Sequence, residues 1–153
     1  MLSLLATQYS LSTMSLELYF SGCSGPHCKN CHNTESHDFN NGSKITAIEL
    51  FTQIESKVNN SYGLVKQIML FGGEPLDQPL DELTELVNHT NTLNLPIWLF
   101  TRYELSEVPS SLRIRFSYIK TGRYLEEFKG KHTQYGITLA TSNQKIYKRG
   151  LDY

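Results

Sequence analysis

Residues 67–75, QIMLFGGEP, contain an apolar run from Ile68 to Phe71 that stops at two glycines. A short apolar run bounded by turn-forming residues predicts a strand that is buried on both faces of its sheet. Such strands are typical of parallel sheets that are covered by helices. The segments on either side of this strand are therefore expected to carry helical patterns.

Helical patterns do flank this strand. Upstream, Thr46 and Glu49 have the spacing of a capping box, and the apolar stripe that follows predicts a helix ending near residues 59–60. Downstream, residues 81–93 carry apolar side chains on one face, which predicts a second helix.

Three further strands are predicted at residues 15–20 (SLELYF), 96–100 (PIWLF) and 113–119 (RIRFSYI). Residues 135–140 and 145–148 are candidates for additional strands near the end of the chain. The repeated order of strand and helix implies parallel strands joined by right-handed crossovers. The sequence therefore predicts an α/β fold in a single domain, residues 1–153.

The composition excludes several classes of partner. The chain has 153 residues, enough for one hydrophobic core, and 14 Lys and Arg residues against 15 Asp and Glu residues leave a net charge of −1. Nothing in this balance favours binding to nucleic acid or to an anionic membrane. No segment approaches the roughly 18 consecutive apolar residues of a membrane span. We expect a cytoplasmic protein.

The stretch GCSGPHCKNCHN, residues 22–33, contains all three cysteines of the chain, Cys23, Cys28 and Cys31. An odd and tightly clustered set argues against a disulfide framework and favours metal ligation. The C-x4-C-x2-C spacing lets one loop supply three thiolates to an iron–sulfur cluster, which leaves one iron without a cysteine ligand.

A zinc site is the alternative to this cluster. His27, His32 and His37 lie beside the cysteines, and three cysteines with one histidine form a common closed zinc site. Structural zinc sites usually draw their ligands from two separated pairs, whereas this set lies in one loop after a predicted strand. The carboxyl ends of parallel strands are where ligands bind, which favours the cluster.

Gly72, Gly73 and Glu74 follow the next predicted strand and should lie at the same edge as the cysteines. Two glycines let a ligand approach the backbone closely, and Glu74 is able to accept hydrogen bonds from an ammonium group. Taken alone, the motif is also an ordinary exit from a strand.

Together, the two motifs resemble the radical S-adenosylmethionine superfamily, whose members carry a three-cysteine loop after the first strand and a GGE motif after the second. Within it, the chain is similar to the activating proteins of anaerobic ribonucleoside-triphosphate reductases. That similarity rests on CHN at residues 31–33, FGGEPL at 71–76, IWLFT at 97–101, YIKTGRYLEE at 118–127 and TSNQKIYK at 141–148.

The resemblance implies a fold and a set of ligands. The fold would be a short partial (βα) barrel of mostly parallel strands. A [4Fe-4S] cluster would be held by the three cysteines, and S-adenosylmethionine by Gly72, Gly73 and Glu74 at its amino group and by Asn30 and His32 at its adenosine. No side chain would act as a catalytic acid or base, because the cofactors carry the chemistry.

The implied function is a radical oxidoreductase that forms a 5′-deoxyadenosyl radical and uses it to generate a glycyl radical. The partners would be the large subunit of the anaerobic reductase and a low-potential electron donor such as a flavodoxin or ferredoxin. The alternatives are an activase for another glycyl-radical enzyme and a non-catalytic zinc-binding interaction module.

Two departures and several secondary candidates accompany the resemblance. Four residues separate Cys23 from Cys28 where the family pattern has three, so the loop is expected to bulge, and Thr121 stands where relatives often have an acidic residue. Six further side chains are candidates for contacts with a ligand or partner: Lys120, Asn143, Gln144, Phe39, Tyr103 and Tyr124. Each of them also has an ordinary structural explanation.

Overall fold

The computed structural model describes residues 1–153. Nine strands are formed: β1 (Leu2–Ser10), β2 (Ser15–Phe20), β3 (Ser43–Ile45), β4 (Gln67–Gly72), β5 (Ile97–Phe100), β6 (Tyr118–Thr121), β7 (Lys129–Gln134), β8 (Ile137–Thr141) and β9 (Lys145–Lys148). The three helices are α1 (Ala47–Asn59), α2 (Leu80–Asn91) and the short α3 (Ser110–Arg113). Seven strands make one sheet in the order β3-β1-β2-β4-β5-β6-β9, and β7 and β8 form a separate hairpin.

The centre of the sheet is a block of four parallel strands, β2, β4, β5 and β6. Leu18, Leu70, Leu99 and Ile119 lie opposite one another across this block, and each is at most 1% exposed. This row of apolar side chains sets the register, because a shift by one residue would move every one of them to the opposite face. The four strands therefore end together at one edge of the sheet.

Helices α1 and α2 cover one face of this block and bury the larger core cluster against it. The capping box of α1 is formed as predicted, with Thr46 Oγ1 accepting from the Glu49 amide and the Glu49 carboxylate accepting from the Thr46 amide. The predicted ends of α1 and of β4 are also confirmed within one residue. No helix has the length and apolar character needed to cross a membrane.

The opposite face of the sheet is covered by the β7–β8 hairpin. Leu139 from β8 packs with Met69, Trp98 and Ile146 in a second, smaller cluster whose members are all at most 3% exposed. The strand predicted at residues 145–148 is confirmed as β9, and that predicted at 135–140 corresponds to β8.

The expected partial barrel of mostly parallel strands is wrong. Only three of the six pairings in the main sheet are parallel, because β1, β3 and β9 all pair antiparallel with their neighbours. The fold is a strand-rich mixed α/β sheet with three helices. The prediction failed because β1 was not recognised as a strand, and an antiparallel strand at each side cannot extend a repeated strand–helix barrel.

The strand predicted at residues 113–119 is also placed incorrectly. Its first residue lies in α3, and the strand β6 begins only at Tyr118. Pro109 precedes α3, and its fixed φ suits a helix start. The alternating pattern of RIRFSYI therefore spans the end of a helical turn, a connection and the first two residues of β6 rather than a single strand.

Candidate functional site

The cysteine loop begins where β2 ends, at the carboxyl edge of the parallel block. Cys23 is buried, whereas Cys28 and Cys31 are partly exposed, and all three are free thiols. A turn joins the last two: the Cys31 amide donates to the Cys28 carbonyl oxygen at 3.2 Å, with Asn30 at φ +58°. The loop thus carries three thiols on a backbone that is ordered by local hydrogen bonds.

The segment after the cysteines folds back over the start of the loop. The amide of Cys23 donates to the carbonyl oxygen of His37 at 3.0 Å, and that of Gly22 donates to Ser36 at 2.8 Å. The rings of His27 and His37 stack 3.9 Å apart, and His27 Nε2 lies 2.7 Å from the Cys23 carbonyl oxygen. Nowhere do three His, Cys, Asp or Glu side chains converge in a geometry that would hold one metal ion.

Gly72 and Gly73 pack directly against the end of β2. The Gly73 amide donates to Phe20 at 2.9 Å, and a Cβ atom at Gly73 would lie 2.3 Å from the carbonyl oxygen of Gly22. Gly72 has φ +123°, and its Cβ atom would lie 2.1 Å from the Phe20 carbonyl oxygen. Both glycines are therefore required by the close approach of the chain to itself.

Glu74 is fully buried and links the end of β4 to the end of β5. Its carboxylate accepts from the Leu76 amide at 3.0 Å, from Thr101 Oγ1 at 2.8 Å and from the Arg102 amide at 2.8 Å. Burial raises the pKa of Glu74, and these three hydrogen bonds oppose that shift. The carboxylate is occupied inside the protein, whereas the carbonyl oxygen of Gly73 accepts no hydrogen bond.

Arg102, which follows β5, connects Asp77 to the cysteine loop. One guanidinium nitrogen donates to the Pro26 carbonyl oxygen at 3.0 Å, and another lies 3.4 Å from Asp77, with both side chains only 8% exposed. Asp77 also accepts from the Tyr103 hydroxyl and from the Ser24 amide, each at 2.6 Å. This network holds the stretch between the first two cysteines, where the additional residue lies.

Arg123, which follows β6, reaches the same point of the loop. Its guanidinium donates to the Pro26 carbonyl oxygen at 3.1 Å, so this one oxygen accepts from two arginines. Asn143 Nδ2 donates to the Arg123 carbonyl oxygen at 3.0 Å, and Gln144 Nε2 donates to Gly122 at 3.4 Å. Asn143 and Gln144 thus brace the segment that carries Arg123.

A cavity of about 390 Å³ lies between the sheet and the β7–β8 hairpin, lined among others by Phe71, Phe100 and Lys120. Lys120 Nζ donates to the Gly122 carbonyl oxygen at 2.9 Å. Burial lowers the pKa of Lys120 to about 8, against the opposing charges of Glu74, Cys28 and Glu104. Lys120 lies near the carboxyl end of β6, so this end of the cavity is at the same edge of the sheet as the cysteine loop.

The remaining predicted side chains lie at the margin of the site or beneath it. Asn30 and His32 are exposed, and the His32 ring is 5.2 Å from that of Tyr124. Phe39 is half-buried under Gly22, and Tyr103 is bound to Asp77. None of the aromatic residues Phe39, Tyr103 and Tyr124 is an isolated side chain on the exposed surface.

The sequence prediction did not single out Asp77, Arg102 and Arg123. Each lies within a few residues of the carboxyl end of a parallel strand, and all three contact the cysteine loop. A charged residue just beyond an apolar strand is the pattern that would have indicated them. Their convergence on Ser24 and Pro26 required the tertiary structure.

The donor set fits an iron–sulfur cluster. Three free thiols in one loop match the thiolate ligation of such clusters. Burial raises the pKa of the Cys23 thiol to about 11, and the charge of Arg102 lowers it. Arg102 Nε is buried without a hydrogen-bond partner. Three thiols and a cation therefore lie together at this edge.

Comparison with known proteins bears on the same residues. No curated protein matches the chain. The family model described as a 4Fe-4S single cluster domain matches residues 13–145, a range that includes the cysteine loop, the GGE motif and all four parallel strands. The chain belongs to the 4Fe-4S single cluster domain family.

Proposed function

We propose that this protein is a radical S-adenosylmethionine enzyme that generates a glycyl radical on the large subunit of an anaerobic ribonucleotide reductase. One observation carries the proposal: the three-cysteine loop after β2 is hydrogen-bonded to the GGE motif after β4, through the Glu74 amide and the Gly22 carbonyl oxygen, 2.8 Å apart. Ligands bound at the two motifs would be neighbours.

Cys23, Cys28 and Cys31 would hold the cluster, and the fourth iron would be open to S-adenosylmethionine. The bound cluster would supply the electron for reductive cleavage of S-adenosylmethionine, the source of the radical chemistry that the proposal requires. The protein has to bind and orient the cluster and S-adenosylmethionine, and it has to exclude oxygen from them. No side-chain acid or base is needed for these steps.

The Gly73 backbone and Lys120 are suited to the polar end of S-adenosylmethionine. The carbonyl oxygen of Gly73 has no partner within the protein and is available to the methionyl ammonium group, whereas the Glu74 carboxylate is already engaged. We therefore assign to Glu74 the support of this edge and to Gly73 the contact with the ammonium group. The Lys120 ammonium group, which lines the adjoining cavity, would attract the carboxylate.

Asn30 and His32 lie on the exposed side of the loop and would face the adenosine. The proximity of the His32 and Tyr124 rings, 5.2 Å apart, supports this assignment, because two aromatic rings would offer a purine a surface to contact. The site is open there, which a protein substrate requires, since the glycine must enter from outside. The electron donor, a flavodoxin or ferredoxin, would also approach from outside the cysteine edge.

Anaerobic reconstitution with iron and sulfide tests the proposal. We expect a brown protein with about four irons per chain. Dithionite and S-adenosylmethionine should then yield 5′-deoxyadenosine, measured by chromatography, and addition of the reductase large subunit should produce a glycyl-radical signal in electron paramagnetic resonance. A reducible cluster that forms no 5′-deoxyadenosine would overturn the radical mechanism. Cleavage without a radical on the reductase would assign another glycyl-radical partner, and a colourless protein with one zinc would favour the interaction module.

A further inference from the structure

Arg102 is held beneath the cysteine loop rather than in solvent. Its side chain is 8% exposed, and arginine is rarely buried unless it is paired, here with Asp77. Its guanidinium contacts two structures at once, the Pro26 carbonyl oxygen between Cys23 and Cys28 and the carboxylate of Asp77. Because its amide also binds Glu74, both backbone and side chain of Arg102 are anchored. This rigidity is what a positioning residue needs.

The hydrogen bonds of Arg102 are incomplete. Its Nε atom is buried and has no acceptor, and a buried donor left unpaired carries a free-energy cost. An acceptor brought to this edge would remove that cost. The sulfur atoms of a cluster and of its thiolates are acceptors of this kind, and hydrogen bonds to them are among the factors that set cluster potentials.

The charge of Arg102 also acts on the site. Its guanidinium donates to the Pro26 carbonyl oxygen, between Cys23 and Cys28, and its side chain is only 8% exposed, so a positive charge is held beside the loop that carries the cluster ligands. A cluster ligated by three thiolates becomes more negative by one charge when it is reduced. A buried cation nearby favours the reduced state, because low-dielectric surroundings strengthen the attraction.

We propose that Arg102 is a positioning residue for the cluster: it clamps the cysteine loop at Pro26 and raises the reduction potential of the cluster through its buried charge. This inference requires the 4Fe-4S cluster of the family and does not depend on cleavage of S-adenosylmethionine. It also explains how the longer Cys23–Cys28 segment is held, since its carbonyl at Pro26 receives both Arg102 and Arg123.

The test compares reconstituted Arg102→Gln and Arg102→Lys with the wild-type protein, without S-adenosylmethionine. Iron content and visible absorption measure how well the cysteine loop retains the cluster. A redox titration followed by absorption measures the reduction potential of the cluster. We expect Arg102→Gln to retain less iron and to shift the potential of its remaining cluster to a more negative value. Arg102→Lys keeps the positive charge but loses the planar guanidinium group. It should retain less iron than the wild type, with a smaller shift in potential than Arg102→Gln.

Two matched variants separate charge from structure. Arg123→Gln removes a bond to the same Pro26 oxygen and leaves the pairing of Arg102 with Asp77 intact, and it should shift the potential less than Arg102→Gln. Asp77→Asn removes a negative charge from the same network and should shift the potential in the positive direction. A purely structural role would not produce shifts of opposite sign.

The outcomes are decisive in both directions. Wild-type iron content and potential in Arg102→Gln would overturn the proposal, as would shifts of the same sign in Arg102→Gln and Asp77→Asn. Thermal unfolding of each apoprotein checks the fold. Should Arg102→Gln not fold, Arg102→Lys and Asp77→Asn decide the question, because one preserves the positive charge and the other removes its counter-ion. Failure of 5′-deoxyadenosine formation in the wild type would leave these potentials unaffected.

Discussion

The amide of Glu74 donates a hydrogen bond of 2.8 Å to the carbonyl oxygen of Gly22, the residue before Cys23. This bond joins the GGE motif to the cysteine loop at the edge where β2 and β4 end. The Gly73 amide adds a second bond, to Phe20, so the two motifs share one hydrogen-bonded ladder. A change in either motif is therefore expected to affect the other.

Gly73→Ala should weaken both the fold and the metal site. Its Cβ atom would lie 2.3 Å from the Gly22 carbonyl oxygen and 2.5 Å from that of Ser36, so the backbone at the cysteine loop must move. We expect a loss of about 1–3 kcal/mol in the free energy of unfolding and reduced iron content. Urea unfolding of the apoprotein and iron analysis after reconstitution measure the two effects.

Gly130→Ala is the control for this substitution, because its Cβ atom would meet nothing closer than 4.0 Å and the residue is exposed. It should change neither quantity. Equal stability of the two alanine variants would show that the close packing at Gly73 is not limiting.

Cys28→Ser should abolish the cluster, since the loop offers only three thiolates and the chain has no other cysteine. The brown colour and about four irons per chain should be lost. Ser24→Ala, in the same loop, is the matched control, because Ser24 contacts Asp77 through its backbone amide and not through its hydroxyl. Full iron content in Cys28→Ser would mean that the ligands have been misassigned.

Tyr103→Phe should destabilise the network under the loop. The Tyr103 hydroxyl donates to the carboxylate of Asp77 at 2.6 Å, and the Asp77 side chain is only 8% exposed. Removal of this hydroxyl therefore leaves a buried carboxylate oxygen without one of its donors. We expect the free energy of unfolding, measured in urea, to fall by about 1–3 kcal/mol. Tyr124→Phe removes a similar bond, to the exposed carboxylate of Glu126, where water replaces the donor. It should have little effect, and a cost as large as that of Tyr103→Phe would contradict this reasoning.

Lys120 should make the stability of the apoprotein depend on pH in the alkaline range. Its pKa is lowered from 10.5 to about 8 in the folded protein, so the native state loses this proton first as the pH rises. Between these values the unfolded state binds more protons, and the free energy of unfolding rises with pH. Below pH 8 the full cost of burying the ammonium group is present, and above 10.5 it has disappeared.

The measurement compares wild type with Lys120→Met in urea at pH 7 and pH 10, under reducing conditions. Taking the difference between the two proteins cancels the titration of other groups. The wild type should gain up to about 3 kcal/mol relative to the variant, less the part that solvent screens around the partly exposed side chain. A parallel response of both proteins would show that Lys120 is not desolvated.

Several elements of the fold could be predicted from local patterns. The capping box at Thr46 and Glu49 and the apolar run of β4 were identified correctly, because capping and burial are local properties of the chain. Strand β1 was missed, since only two of its nine residues are buried and its pairing partner is known only once the chain has folded. The antiparallel pairing of β1, β3 and β9 overturns the barrel that the resemblance implied.

The sequence by itself determined the chemistry available at the site: three cysteines in one loop, and a GGE motif after the next parallel strand. Only the tertiary structure decided how that chemistry is supported. Gly72 and Gly73 serve close packing of the backbone, and the Glu74 carboxylate is hydrogen-bonded within the protein. Asp77, Arg102 and Arg123 contact the cysteine loop. Ligand type is a property of individual residues, whereas these contacts join segments up to 97 residues apart and exist only after the strands have aligned their ends.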